Sequence, residues 1–422
     1  MDTLTTTADP AASTNEVAGL YRRHLGTGRA SLGTMLGGMV EVSSAGAWIT
    51  AADGRRYLDF GGYGVFILGH RHPVVVAAVR RQLDVHPLAS RVFLEPVSAR
   101  AAAALAAVTP GDLDYVHFVN SGAEATEAAL KLARSHGHDA LITTDRGFHG
   151  KTLGALSVTS NPLYQDPFRP LIPDVTSVPY GDIDAITAAV TRHGRRSCVI
   201  LEPVQGEGGV VLPPVGFLSA VAELCRAQGA FLIVDEIQTG FGRLGTWWGV
   251  DVEGVVPDVL LTGKGLSGGV VPVAAMVARP AAYTPFGRDP YMHSSTFAGS
   301  PLACAAVLAA IETMHAERIV DRAAQLGDRL IEGIRTACRR HGADLVAEVR
   351  GRGLLIGIEC HEQAYVGEMV LELIGRGVLV NHSLNASRVL RFTPPAILED
   401  ADIAHFLTVL ENALAAVVAR VS

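Results

Sequence analysis

The chain has 422 residues, 49% hydrophobic and 18% charged, with a net charge of −7. That length exceeds what one core usually holds and points to two domains or one large one, while a net acidic chain lacks the basic field that nucleic acid or an anionic membrane requires. The five cysteines (Cys198, Cys225, Cys304, Cys338, Cys360) are odd in number and lack CxxC spacing, so they read as reduced core residues and not as a disulfide framework or zinc site.

In chain order, residues 1–15 carry neither a basic start nor an apolar h-region and read as an unstructured tail, not a signal peptide. No apolar run looks long enough to span a bilayer, so the expected location is cytoplasmic. Ala47–Phe60 reads as a hairpin around the turn dipeptide Asp53-Gly54. The glycine-rich loop Gly61–His70, containing Tyr63, follows; His70 and His72 flank a turn and read as structural. Pro73 opens a helix over Val74–Leu83.

From about residue 100 to 280 helix and strand patterns alternate, which implies a mainly parallel sheet covered on both faces. The strand candidates are Tyr115–Val119, Ser197–Glu202, Ala230–Asp235, Asp258–Leu261 and Val270–Val277. Ser121 and Glu124 have capping-box spacing at the start of a helix, and Gly216–Gln228 is a helix stopped by Gly229. Past residue 300 two Ala-rich helices (Pro301–Ala316, Ile319–Arg340) precede short strands at Glu348–Glu359, Gly377–Val380 and Val389–Phe392, then a last helix over Glu399–Val418. The expected division is an N-terminal segment 1–62 that joins a small α+β domain, a large domain 63–300, and the small domain 301–422.

Of the 35 basic residues only Lys131, Lys151 and Lys264 are lysines. Arginine keeps its proton near neutral pH, whereas a buried lysine can lose it and attack carbonyls. Lys264 stands where an apolar run, Asp258–Leu261, breaks into glycines. Lys131 and Lys151 read as surface residues, Lys131 being placed four residues after Glu127 on a helix.

Ligands of such sheets bind at the carboxyl ends of the strands, where Ser121-Gly122-Ala123, Glu202, Asp235, Gln238 and Lys264 collect. A helix N-terminus at Ser121-Gly122-Ala123 suits a phosphate, though a capped helix start needs no ligand. A carboxylate at the end of the Asp235 strand can cap a turn, or can hold a pyridine nitrogen protonated. Gly265-Leu-Ser267-Gly-Gly269 fits the serine-hydrolase elbow, but that elbow needs a helix straight after it, and Val270-Val-Pro-Val follows instead.

Six motifs occur in order: Asn120–Lys131, Phe148-His149-Gly150, Glu202-Pro-Val-Gln-Gly-Glu207, Asp235-Glu-Ile237-Gln238-Thr-Gly, Lys264, and His293-Ser-Ser295-Thr296 running to Pro301. Together, from about residue 30 to the C-terminus, the chain resembles the class III aminotransferases, pyridoxal-phosphate enzymes of fold type I. The resemblance implies that Lys264 carries the coenzyme as a Schiff base and moves its proton. Asp235 would pair with the pyridine nitrogen and Gln238 with the ring hydroxyl, while Phe148 and Ile237 cover the two ring faces. The phosphate would lie on Ser121, Gly122 and Ala123, with Ser295 and Thr296 supplied by a second subunit, hence a homodimer or larger assembly. His149 and Glu202 fall within the same cofactor-binding motifs.

The same resemblance makes Arg391 a substrate-carboxylate ligand, Glu207 its mask when the donor presents an amine end, and Tyr63 part of the substrate entrance. It is nearest in look to the putrescine (diamine) branch, which implies an ω-aminotransferase passing a terminal amine from a diamine or basic amino acid to 2-oxoglutarate or pyruvate. Two positions depart from pattern: Ser267 where a glycine is frequent, and Thr393 where that branch usually has Glu. N-acetylornithine or ornithine δ-aminotransfer, a natural-product aminotransferase, and aminomutase, decarboxylase or racemase chemistry on the same scaffold stay open.

Overall fold

The computed structural model describes residues 14–421. The expected tail therefore lies outside the described residues as far as residue 13, and Thr14 and Asn15 already open a helix, Thr14–Leu20. Three sheets follow. The first holds β1 (Glu41–Ala45), β2 (Trp48–Ala51) and β3 (Arg56–Asp59), with β2 and β3 forming the antiparallel hairpin expected around Asp53-Gly54.

The central sheet has seven strands: β4 (Tyr115–Val119), β5 (Ala140–Thr144), β6 (Val175–Val178), β7 (Ser197–Leu201), β8 (Phe231–Asp235), β9 (Val259–Thr262) and β10 (Ala274–Ala278). Their order is β4-β10-β9-β8-β7-β5-β6, and β10 alone runs antiparallel to its neighbours. Side chains alternate between two faces, as a period of two requires. Val199, Leu232, Val234 and Leu260 join one core, and Cys198, Ile200, Ile233 and Leu261 join the other. Burial on both faces explains why these strands read as near-continuous apolar runs.

The third sheet is built from β11 (Val346–Arg352), β12 (Leu355–Cys360), β14 (Asn381–Ser383) and β15 (Ala386–Phe392), while β13 (Val378–Leu379) leaves it to pair in parallel with β3. The layered α/β architecture agrees with the expected fold. Several details do not. The strand expected over Val270–Val277 begins only at Ala274, because left-handed Gly268 and Gly269 and then Pro272 break the chain first. The strand expected over Glu348–Glu359 is two strands folded back at Gly353, whose φ of 52° is the left-handed turn. Ser121 does cap the Gly122–Ser135 helix, but Glu124 reaches back to the N–H of Asn120, one residue beyond a true capping box. The helix Asp400–Val421 is long and apolar enough to cross a bilayer by length and composition, contrary to the sequence reading. Its face formed by Phe406, Leu410, Leu414 and Val417 is buried in the core.

One close stack sets the third sheet against the sheet that ends in Asp235. Gly327, inside the helix Ile319–His341, packs on the backbone of Gly353, which in turn abuts Arg243 and Leu244 in the loop after β8. The buried Arg243 guanidinium donates to the carbonyls of Leu354 (3.2 Å), Pro394 (2.5 Å) and Gly64 (3.4 Å), binding three chain segments to one side chain. A methyl group at Gly327 would overlap the Gly353 backbone, whereas one at the exposed helical Gly367 meets nothing. Gly327→Ala is therefore expected to destabilise by about 1–3 kcal/mol through overpacking, and Gly367→Ala to stabilise by up to about 1 kcal/mol through helix propensity. Urea unfolding midpoints of the two variants check this; the same sign for both would refute the close-packing argument.

Candidate active site

The β8 and β9 strands are parallel neighbours, with Asp235 opposite Leu261, so Asp235 and Lys264 emerge from adjacent strand ends. Between them and the Gly122–Ser135 helix lies a cavity of about 370 Å³. It is lined by Gly122, Ala123, Phe148, His149, Glu202, Glu207, Asp235, Ile237, Gln238 and Lys264, together with Gly150 and Lys151. Residues scattered over more than 140 positions converge because each follows the carboxyl end of a strand.

Lys264 is half-buried at the cavity wall and sits at a φ of 43°, an uncommon conformation for a residue with a side chain. Burial lowers its pKa, against the opposing pull of Glu207 and Asp235, which makes the amine easier to deprotonate. Asp235 accepts from the N–H of Ile237 at 3.0 Å with one oxygen and lies 2.7 Å from His149 Nδ1 with the other. A carboxylate offers about four acceptor positions, so both oxygens keep capacity toward the cavity. Burial alone would lower the His149 pKa, yet the hydrogen bond and charge of Asp235, helped by Glu202, raise it. Glu202 accepts from the N–H groups of Phe148 (3.0 Å) and Gly206 (3.2 Å), and burial pushes it up to about 7 with His149 opposing.

Arg391 does not itself line the cavity. It lies behind Glu207, its Nη1 2.6 Å from Glu207 Oε1, with both side chains buried. Burial would raise the Glu207 pKa, but Arg391 and the Leu384 N–H outweigh it and hold the carboxyl below its usual range. Gln238 accepts a long bond from Arg391 (3.5 Å) through Oε1, and its Nε2 is buried without a partner. Gly206 has to be glycine here, since a methyl group would overlap the Gln238 amide.

The other expected residues lie elsewhere. Ser121 is an exposed helix cap. Ser295 accepts from Asn120 Nδ2 at 3.0 Å, and Thr296 is exposed; neither lines this cavity. Tyr63 is 64% exposed and faces a separate cavity beside the N-terminal helices, although its neighbour Gly64 approaches Lys264. Ser267 donates to the Val271 carbonyl (2.6 Å) and is buried, with no helix after it, so it is no hydrolase elbow. Thr393 ties the end of β15 to the carbonyl of Gly61.

The two lysines read as surface residues are both exposed, but their contacts are more specific than that reading. Lys131 contacts His293 Nδ1 (2.9 Å), not Glu127, whose carboxylate accepts instead from the Gly154 N–H (2.8 Å). Lys151 lines the cavity, its ammonium 3.8 Å from the Tyr164 ring centre and 5.9 Å from that of Phe148. The rarity of lysine was the only sequence signal for it.

A sequence model of the class III aminotransferase family matches residues 34–414. The chain belongs to the class III aminotransferases. The ornithine aminotransferase of Toxoplasma gondii ME49 superposes with a TM-score of 0.90 at 32% identity, covering 97% of this chain and 96% of that one. A second structure of that ornithine aminotransferase, with partial occupancy of pyridoxal phosphate at its active site, matches at 32% identity and a TM-score of 0.89, covering 97% and 95%. An (S)-enantioselective ω-transaminase from Thermomicrobium roseum matches at 28% identity and a TM-score of 0.88, covering 96% and 99%.

The fold is thus that of the fold type I transferases, and this aminotransferase uses pyridoxal phosphate. Its cavity fits that group by donor chemistry. The leading N–H groups of the Gly122–Ser135 helix have no acceptor within the helix, Gln238 Nε2 is an orphaned donor, and an amine and a carboxylate that both line the cavity stand on neighbouring strands.

The raised His149 pKa has a testable sign. A group whose folded pKa exceeds its unfolded value, about 6.5 for histidine, adds stability that is complete below that value and lost as pH rises through the folded one. The thermal stability difference between wild type and His149→Gln is expected to be largest near pH 6 and to shrink toward alkaline pH. A difference that grows with pH would show the imidazole to be held neutral.

Proposed function

We propose that this aminotransferase accepts the terminal amino group of a diamine or basic amino acid and passes it to 2-oxoglutarate or pyruvate, in two half-reactions that alternate at one site. The observation that carries the reading is the buried ion pair of Arg391 and Glu207. Arginine suits bidentate binding of a carboxylate, and here the chain's own carboxylate holds its place. Stripping a buried arginine of its partner costs about 3–5 kcal/mol, so Glu207 stays unless a substrate carboxylate arrives to replace it. An amine-ended donor brings no such group and meets a neutralised pair; a 2-oxo acid brings one and displaces Glu207.

When bound, pyridoxal phosphate supplies an aldehyde that condenses with amines and a ring that draws electrons from the donor's C–H bond. Lys264 Nζ would be the amine that holds the coenzyme's aldehyde and the base that takes and returns the donor's proton. Asp235, oriented by His149, would face the pyridine nitrogen and favour its protonated form. Gln238 Nε2 would donate to the ring hydroxyl, Phe148 and Ile237 would exclude water from the two faces, and Ser121, Gly122 and Ala123 would hold the phosphate. In the assay of separate half-reactions, Lys264→Ala is expected to lose both, while Arg391→Ala loses the 2-oxoglutarate step by at least about 100-fold, the scale of a buried pair, and spares the 1,4-diaminobutane step. Equal losses in both steps for Arg391→Ala would remove the masking argument.

A second copy of the chain completes the site. Val92, Phe93 and Leu94 are 81%, 81% and 102% exposed, and Arg91 beside them donates to the carbonyls of Ser295 (2.5 Å) and Ala298 (2.7 Å). Exposed Phe297 extends the same apolar surface around Thr296, and contiguous surface of this kind marks an interface. Ser295 and Thr296 then serve the phosphate of the other copy. Sedimentation velocity is expected to give a dimer, and Phe93→Asp with Leu94→Asp a monomer that releases its coenzyme. A monomeric variant that retains coenzyme as firmly as wild type would overturn the shared site.

A further inference from the structure

Arg391 lies on β15, held between β12 and β14 by the pairings Gly357↔Arg391 and Asn381↔Arg391. The turn joining β14 to β15, Leu384-Asn385, reaches back to the residue that masks it. Leu384 N–H donates to Glu207 Oε2 at 2.9 Å, so the carboxylate has one oxygen on Arg391 and the other on this turn. Asn385 N–H donates to the Glu207 carbonyl at 2.9 Å, and Ser383 Oγ donates to the Gly206 carbonyl at 3.4 Å. Glu207 cannot leave Arg391 without also breaking or dragging the Leu384 contact.

The turn is itself tied down by one side chain. Asn385 Nδ2 donates to the carbonyls of Arg146 (3.0 Å) and Gly147 (3.2 Å), immediately before Phe148. Its Oδ1 accepts from Asn161 Nδ2 at 2.8 Å, and Asn161 caps the short helix Pro162–Gln165 that carries Tyr164. Both amide hydrogens and the amide oxygen are used, on partners more than 200 residues away in sequence. None of these bonds belongs to a helix or sheet ladder, and a turn of two residues does not need them to close.

Resting on the masking role of Glu207 argued above, we propose that Asn385 is a positioning residue for the Arg391–Glu207 pair. Its side chain anchors the β14–β15 turn, the turn presents the Leu384 N–H, and that N–H sets how readily Glu207 yields Arg391 to a substrate carboxylate. The anchor weights the enzyme toward the masked state that receives an amine-ended donor. Loosening it shifts the weight toward the open state that receives a dicarboxylate, since only the masked state keeps the Leu384 contact.

The probe is glutarate, a dicarboxylate that binds without chemistry, titrated calorimetrically into holoenzyme. Wild type, Asn385→Ala, Glu207→Gln and the double variant form a cycle. Asn385→Ser replaces the alanine variant should that one unfold. The Asn385 variant is expected to bind glutarate roughly 2- to 10-fold more tightly, the worth of a lost hydrogen bond or two, and to slow the 1,4-diaminobutane half-reaction by a similar factor. In the Glu207→Gln background the same substitution is expected to change neither quantity. A weakening of both functions together, or the same shift whether or not Glu207 is present, would assign Asn385 a merely structural part and overturn the proposal. If Glu207→Gln alone leaves glutarate affinity unchanged, the masking role fails and this inference goes with it. If Glu207→Gln tightens glutarate but Asn385→Ala does not, only the anchor fails.

Discussion

Two of the carboxylates around Lys264 have a basic partner of their own. Asp235 is matched by His149, whose pKa is raised by that contact, and Glu207 by Arg391. Glu202, the third, is pushed up to about 7 by burial and so carries only part of a charge near neutrality. Each of these carboxylates pulls the Lys264 pKa up against the effect of burial, and pairing weakens that pull. Because the charges are settled in local pairs, burial prevails and the Lys264 pKa falls. The nucleophile depends on residues that need never touch it.

Holding that balance requires a rigid frame, because the groups come from different strands and both ends of the chain. Lys264 adopts a positive φ, as does Tyr63 near it, and such conformations cost of order 1–3 kcal/mol each unless the surroundings impose them. The parallel β8–β9 pairing fixes the Asp235–Lys264 separation. The Arg243 guanidinium fixes the Gly64 carbonyl to Leu354 and Pro394, and hence the glycine loop and the end of β15 to the strand that bears Asp235. Arg391, three residues before Pro394, inherits its distance from the cavity through that one buried side chain.

Much of this was legible in the chain, and the reason is local. The β7, β8 and β9 strands announce themselves as unbroken apolar runs, and the polar residue that ends each run is the one that reaches the cavity. Asp235, Glu202 and Lys264 could be read for that reason, and Gly229 marked a helix end by its left-handed φ of 63°. The errors were local too. Val270-Val271-Pro272-Val273 has strand-forming residues but follows two left-handed glycines, whereas the actual strand, Ala274–Ala278, is held by its two antiparallel neighbours and not by propensity. The helix Gln363–Gly375 and the strands Ala140–Thr144 and Val175–Val178 carry no comparable signal, the last two being short and rich in Thr or Ser. Asn385 gave no sign, since its partners lie on segments that only the fold brings near, and Lys151 stood out by its rarity alone.

Those two residues bear on opposite sides of one question, which is how a single cavity would treat a cationic and an anionic ligand. Lys151 leaves a positive charge at the cavity wall, but its ammonium rests over the Tyr164 ring, where cation–π attraction of about 0.5–1 kcal/mol or more competes with a ligand for it. Tyr164 sits close enough to Glu207 for that carboxylate to raise its pKa, after burial, and lies on the short helix that Asn161 caps. Asn161 in turn donates to Asn385. The cation at the wall and the mask over Arg391 therefore share a support, through which a displacement of Glu207 would reach Tyr164. Under the proposed function, a carboxylate entering the site would meet two basic groups with a common support, whereas a diammonium donor would meet both already satisfied.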